Sequence, residues 1–307
     1  MKLRIIILFV VLGTGCTTNN SKDNVIDFSD TNVSEHNKNS NGSKSVYIAI
    51  ASMTSPKETY IYYSDLIKYI SNKVGYPIII KQKKTYEEVN SLLENAEVDF
   101  AFICSGAFIE EYKREKIRIL VAPEIGHKTY YNAYIIANKN SKIEKFEDFA
   151  NKSFAFTDPL SNTGRLFPEK KLLDINKKED DFFLKTIYTY GHDISIQMVN
   201  RGIIDGASVH GLIFDYLSLY HSERVKNIVI IEKSDDFGMP PVVAPFSLDS
   251  QYFDKYREIF LNMHNDSFGN EILKKLNINR FVVVEDSIYD SVFQIKEFID
   301  VASKKSN

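Results

Sequence analysis

VNSLLENAEVDFAFICSGAF, residues 89–108, aligns without a gap on SIQMVNRGIIDGASVHGLIF, residues 195–214. The offset is 106 residues throughout, and it sets Asp99 on Asp205, Ala101 on Ala207 and Phe108 on Phe214. Each copy reads as a helix, a short turn and a strand. Two explanations fit: a chance recurrence of a common βα pattern, or two similarly built α/β lobes, each offering the carboxyl end of a strand and the loop beyond it. Ligands of open α/β sheets bind in the crevice outside those ends, so the second explanation also locates a site.

The chain before the first copy has the same grammar. VYIAIAS (46–52) is a β-branched run, and Pro56 opens a segment in which Tyr63, Leu66, Ile67, Ile70 and Val74 recur at helical spacing until Gly75 and Pro77 stop it. IIIKQK (78–83) predicts a strand, and Thr85 with Glu88 predicts a capping box for a helix carrying Val89, Leu92, Leu93 and Ala96. VDFAFI (98–103) is a strand again. Strands alternating with helices argue for mainly parallel sheets covered on both faces.

The first residues, MKLRIIILFVVLGTGCTTNN, begin with basic Lys2 and Arg4, and Ile5 to Leu12 is an apolar run too short to span a bilayer as a permanent helix. Residues 1–15 read as an export signal. Gly13, Thr14 and Gly15 before Cys16 resemble the lipobox of bacterial lipoproteins, in which the cysteine is diacylated and becomes the mature N-terminus; Leu12 stands four residues before the cysteine, whereas that motif has leucine three before it. An uncleaved anchor is the other reading, and either way the protein works outside the cytoplasmic membrane. Residues 16–44 are crowded with Asn, Ser, Asp and Lys and are poor in apolar side chains, so they are expected to form a flexible tether reaching tens of ångströms, at about 5 to 6 Å times the square root of the residue number. His36 within it is a solvated residue.

With Cys16 assigned to lipid, Cys104 has no partner for a disulfide. A net charge of −3, or −5 without Lys2 and Arg4, gives no support to nucleic-acid binding. The 44% of hydrophobic residues is enough to build real cores.

FTDPLSNTGRLFP (156–168) places Ser161, Asn162, Thr163 and Gly164 after the strand SFAFT. A helix starting near Ser161 to Thr163 would present unpaired backbone N–H groups and a partial positive charge, which attract an anion. Hydroxyl and amide groups add donors, Gly164 lets the backbone approach closely, and Pro168 fits early in the helix. An ordinary Ser/Asn helix cap accounts for the same letters.

That run, followed in order by YGHDIS (190–195), IIDGASVH (203–210), GMPPVVA (238–244) and LNINRFVVVEDSIYD (276–290), resembles the phosphate/phosphite/phosphonate substrate-binding proteins of ABC transporters over residues 46 to about 290. The resemblance implies an α/β, two-lobed, type II periplasmic-binding fold, each lobe a mainly parallel sheet flanked by helices, closing like a hinge on a ligand in the cleft between them. Lobe one would take residues 45–133 plus 242–307 and lobe two 134–241, with crossovers near TYYNAYIIA and MPPVVAP. It implies a small oxyanion ligand, an ABC permease with its ATPase as partner, attachment to the membrane through the N-terminal lipid, a monomer, and neither cofactor nor metal.

The same resemblance assigns oxyanion binding to the Ser161–Gly164 turn, although Asn162 stands where the family commonly has Ser or Thr. His192 matches a ligand-contacting histidine, with a loop histidine satisfied by Asp193 as the bland alternative. His210, at the end of a strand, faces the same crevice. From lobe one come Ser52, Thr54, Tyr86, which matches a ligand-contacting tyrosine, and Ser105 with Gly106. Cys104 lacks the basic neighbour of a nucleophile and reads as a small buried residue. His127, His221 and His264 receive no role. Family members that bind aminoalkylphosphonates hold the ammonium with carboxylates, and the matching positions, Leu212 and Met239, are apolar; phosphate, phosphite or a simple alkylphosphonate is therefore expected. A ligand-sensing lipoprotein of the same fold is the alternative function. A phosphoester hydrolase lacks support, since there is no HExxH motif, paired Asp/His spacing or Cys quartet.

Overall fold

The computed structural model describes residues 45–305; the signal, Cys16 and the tether, residues 1–44, lie outside the described residues. The first βα units form where their local chemistry demands. Strand β1 (Val46–Ile50) leads into α1 (Pro56–Val74), whose Pro56 occupies the first turn and whose Gly75 ends it in the left-handed region at φ 82°. After β2 (Ile78–Gln82), α2 (Tyr86–Glu94) starts with the expected capping box: the Glu88 N–H donates to Thr85 Oγ1 and the Thr85 N–H to Glu88 Oε2. Strand β3 (Phe100–Phe102) and α3 (Ser105–Tyr112) follow, and Ala96 lies past the end of α2 at φ 52°.

Strand β4 (Ile117–Glu124) leads to β5 (Tyr130–Tyr131) and β6 (Ala133–Asn138). The second series comprises β7 (Ser153–Phe156), α4 (Phe167–Asp174), α5 (Glu179–Phe182), β8 (Lys185–Tyr188), α6 (His192–Asn200), β9 (Gly206–His210), α7 (Gly211–Tyr220) and β10 (Ile228–Lys233). The chain returns through β11 (Phe237–Gly238) to β12 (Val242–Pro245), α8 (Ser250–Asn262), α9 (Ser267–Lys275), β13 (Arg280–Val282) and α10 (Asp290–Lys305). One sheet has six strands in the order β13-β4-β12-β3-β1-β2, the other five in the order β10-β6-β9-β7-β8. The ribbon β5–β11 pairs the outgoing and returning chain, Tyr131 opposite Phe237.

The sheets are mixed, not mainly parallel. β1 pairs in parallel with β2 and β3, and β7 with β8 and β9, as βα units require. β12 runs antiparallel to β3 and β4, and β6 antiparallel to β9 and β10, because the chain enters those places from the crossover ribbon and not from a covering helix. Helices cover the faces: Leu66 and Ile70 of α1 and Phe260 of α8 are buried in one apolar cluster, Ile196 of α6 and Phe214 of α7 in another. A third cluster draws on both series, from Val89 and Phe108 to Phe154 and Leu166, with Val292 and Ile295 of α10.

The 106-residue echo is three-dimensional. Ala101 lies beside Ala49 in the register of β3 with β1, and Ala207 beside Ala155 in that of β9 with β7. Asp99 accepts from the Tyr47 N–H at 2.7 Å, and Asp205 from the Ser153 N–H at 2.9 Å and its hydroxyl at 2.6 Å. Each carboxylate thus clamps the start of the neighbouring parallel strand. Replacement of either by alanine is expected to cost about 1.5 to 3 kcal/mol, the scale of hydrogen bonds to a charged group. Urea denaturation measures this; a change under about 0.5 kcal/mol for both variants contradicts the clamp.

Candidate functional site

The chain leaves β7 at Thr157 and turns at Asp158, whose Oδ1 accepts from the Leu160 N–H at 2.8 Å. It then enters a π-type turn, Asn162–Leu166, in which the N–H groups of Arg165 and Leu166 both donate to the Ser161 carbonyl at 3.0 Å, and continues into α4 with Pro168 in its first turn. Single π-type turns are frequent at functional sites. Ser161 caps it, accepting from the Gly164 N–H at 3.0 Å. A Cβ on Gly164 would stand 1.7 Å from Thr157 Oγ1, so only glycine lets the turn fold back on the strand end.

The capped turn leaves buried polar atoms over. Thr157 Oγ1, Asn162 Oδ1 and Thr163 Oγ1 have no hydrogen-bond partner among the described residues, and neither do His192 Nε2 and His210 Nδ1. All five residues are buried, and in native folds a buried polar atom of this kind is met by an ordered water, an ion or a ligand. They are tied into one cluster. Ser208 donates to the Thr163 carbonyl at 2.5 Å, the His210 N–H donates to His192 Nδ1 at 3.1 Å, and Asn162 Nδ2 donates to the Tyr131 hydroxyl at 3.3 Å. The Tyr131 ring stacks on His210 with centroids 4.2 Å apart.

Because His192 Nδ1 accepts a hydrogen bond, the neutral ring carries its proton on Nε2, which makes that unpartnered atom a donor. Burial holds His192 well below the ordinary imidazole range, with His210 adding to the effect, and pushes His210 down to about 3. The cluster is therefore assembled from hydroxyls, an amide and two neutral imidazoles.

The first series meets it through helix starts. The Tyr86 N–H donates to Asp158 Oδ2 at 3.0 Å, the Ser55 N–H to Asp193 Oδ1 at 2.8 Å, and the His192 N–H to the Met53 carbonyl at 2.9 Å. Ser105 Oγ and the Tyr131 hydroxyl are 2.7 Å apart. Gly106 lies so close to the turn that a Cβ would stand 2.3 Å from the Leu160 carbonyl oxygen and 2.6 Å from the Asn162 nitrogen.

Of the residues singled out in the sequence, Ser161, Asn162, Thr163, Gly164, His192, His210, Tyr86 and Ser105 come together. Ser161 is spent on capping and bonds the Tyr86 side chain, so the turn is a cap at one residue and presents unpaired oxygens at the next two. Thr54 stands apart, its hydroxyl 3.0 Å from that of Thr59, and Ser52 donates to the Lys83 carbonyl at 2.7 Å. Tyr131, Thr157 and Asp158 were missed. Tyr131 and Asp158 act through partners distant in the chain, and no local pattern marks them. Burial raises the Asp158 carboxyl, and it raises the Cys104 thiol, leaving little thiolate there. No group of His, Cys, Asp and Glu that could hold a metal occurs among the described residues.

Residues 48–289 match the model of a family described as ABC transporter, phosphonate, periplasmic substrate-binding protein. The chain belongs to this family. The phosphonates-binding periplasmic protein of Escherichia coli is 25% identical over 181 residues, which is 58% of this chain and 53% of that one. The phosphate-import protein PhnD of Mycolicibacterium smegmatis is 23% identical over 221 residues, 68% of this chain and 69% of that one. The chain thus spans about half the length of the first relative. In fold it is similar to the binding component of an ABC phosphonate transporter from Pseudomonas aeruginosa, with a TM-score of 0.81 at 21% identity, covering 87% of this chain and 90% of that one. These likenesses bear out the type II periplasmic-binding architecture.

Two outcomes follow from the geometry. Unfolding frees both histidines to take protons near their ordinary 6.5, while the fold keeps them neutral. Their contribution is complete above pH 6.5 and is lost as pH falls toward their folded values, by about 1.4 kcal/mol per pH unit for each. Urea midpoints between pH 7 and 5 should fall for the unliganded protein and fall less for His192→Asn or His210→Gln; equal slopes in all three contradict this. Gly164→Ala should lower the thermal midpoint, and Thr157→Ala, which removes the hydroxyl that would stand 1.7 Å from the new Cβ, should recover part of the loss in the double variant. Additive losses would point to a different clash.

Proposed function

We propose that this chain is an extracytoplasmic solute-binding protein that captures a small phosphorus oxyanion, phosphate, phosphite or a simple phosphonate, and delivers it to an ABC importer. The observation that carries the reading is the cluster of unpartnered buried atoms on Thr157, Asn162, Thr163, His192 and His210, gathered beside a capped helix start. A tetrahedral oxyanion supplies acceptors for the Thr157 and Thr163 hydroxyls, for the His192 Nε2 proton and, with the amide turned, for Asn162. The phosphonate and phosphate binding named for the relatives supports the same ligand class.

In this reading lobe one comprises 45–133 plus 242–307 and lobe two 134–241, and both meet the ligand. A ligand that touches both binds the closed form better than the open one, so it shifts the population toward closed by that difference. A permease and its ATPase then read the closed shape. The binding protein itself acts as a monomer and carries out no catalysis; export by residues 1–15, lipidation of Cys16 and a tether over 16–44 would keep it beside its permease.

Isothermal titration of the protein with phosphate, phosphite and methylphosphonate tests the ligand class. Thr163→Val, Asn162→Ala and His192→Ala should each weaken binding by about 1 to 3 kcal/mol. Wild-type affinity in all three would move the site elsewhere. Cys16→Ser should shift the protein from the membrane fraction to the soluble extracytoplasmic fraction, and an unchanged distribution argues against the lipid anchor.

A further inference from the structure

A cavity of about 190 Å³ lies against the polar cluster, and its walls differ in kind. His210 belongs to both, and Thr54 lines the cavity together with Phe102, Leu212, Met239 and Ile278. The walls come from both series of strands and helices and from the returning crossover at Met239, Pro240 and Pro241. No carboxylate lines it among the described residues; Lys275, a charged residue on its wall, sits at the surface with its Nζ 3.0 Å from Asp65 Oδ2. An ammonium group placed there finds no counter-charge. An apolar group finds aliphatic and aromatic walls.

We infer that the ligand is a phosphoryl compound bearing an uncharged apolar substituent of about one aromatic ring in size, the phosphoryl group at the His192–Asn162–Thr163 cluster and the substituent in the cavity beside His210. The inference rests on the oxyanion reading above and narrows it, setting inorganic phosphate and phosphite aside in favour of a substituted member of the class. Size decides between substituents. A dry apolar cavity of about 150 Å³ takes up benzene, so 190 Å³ admits a phenyl group or a chain of comparable length, whereas a methyl group leaves most of the wall without contacts. Leu212 on that wall is half-buried and Met239 buried, so both offer apolar surface to a substituent. A phosphonate and a phosphate monoester share this chemistry and differ in the atom that joins phosphorus to the substituent.

Calorimetric titration of the full-length protein with methylphosphonate, phenylphosphonate, methyl phosphate, phenyl phosphate and 2-aminoethylphosphonate tests it. The expected result is that at least one phenyl compound binds more than about threefold tighter than its methyl counterpart, and tighter than the aminoethyl compound, from the added apolar burial. Whichever phenyl compound binds better identifies the linkage. Leu212→Trp, on α7, and Ile278→Trp, between α9 and β13, each fill part of the cavity, and each folded variant should bring the phenyl-to-methyl ratio to about one or below. Ratios at or below about threefold for both pairs, a preference for the aminoethyl compound, or an unaltered ratio in a folded tryptophan variant overturn the cavity assignment. If the methyl compounds bind and the phenyl compounds do not, that assignment alone fails; if none of the five binds, the oxyanion reading fails with it.

Discussion

Every helix begins with backbone N–H groups that have no partner inside the helix, and the cleft of this protein is organised around that deficit. The start of α1 is met by Asp193 from the beginning of α6; the start of α2 by Asp158 from the turn after β7; and the start of α6 by the Met53 carbonyl ahead of α1. The two series therefore cap each other's helices across the cleft. A carboxylate at such a position is a built-in anion, so the contacts that hold the two halves together use the same physics that would hold a ligand. Arg224, 3.2 Å from Glu58 and 3.9 Å from Asp193, extends the junction to the surface.

The arrangement is doubled. Ser55 and Ser161, both helix caps, are 106 residues apart, as are Tyr86 and His192, each the first residue of a helix that follows a strand. Equivalent places carry different chemistry. Cys104, a buried thiol, matches His210, a buried imidazole, and each is the residue just before a helix, α3 and α7. The unpartnered atoms of Thr157, Asn162, Thr163, His192 and His210 all belong to the second series, and the first closes over the turn at Asn162 with a glycine, Gly106, where a side chain would collide.

How much of this was legible in the sequence follows the range of the interactions. The capping box at Thr85 and Glu88, the glycine stop after α1 and the 106-residue echo depend on neighbours a few positions away or on repetition, and all were readable. The Ser161–Gly164 turn was recognisable as polar and helix-initiating, yet the π-type turn that spends Ser161 on capping and leaves Asn162 and Thr163 unpaired depends on Thr157 and Gly164 pressing together. The antiparallel strands were invisible because β12 and β6 owe their direction to the crossover, not to their own letters. Tyr131 and Asp158 reach partners 26 to 72 residues away, and the apolar cavity is assembled from residues between Ala51 and Phe281.

The neutrality of the polar cluster has a kinetic side. Fixed charges attract a counter-ion over about a Debye length, roughly 8 Å in physiological salt, and steer it inward. Dipoles of hydroxyls, amides and uncharged imidazoles act only on contact, so the cluster itself exerts no long-range pull, and any steering of an anion comes from the charges around it.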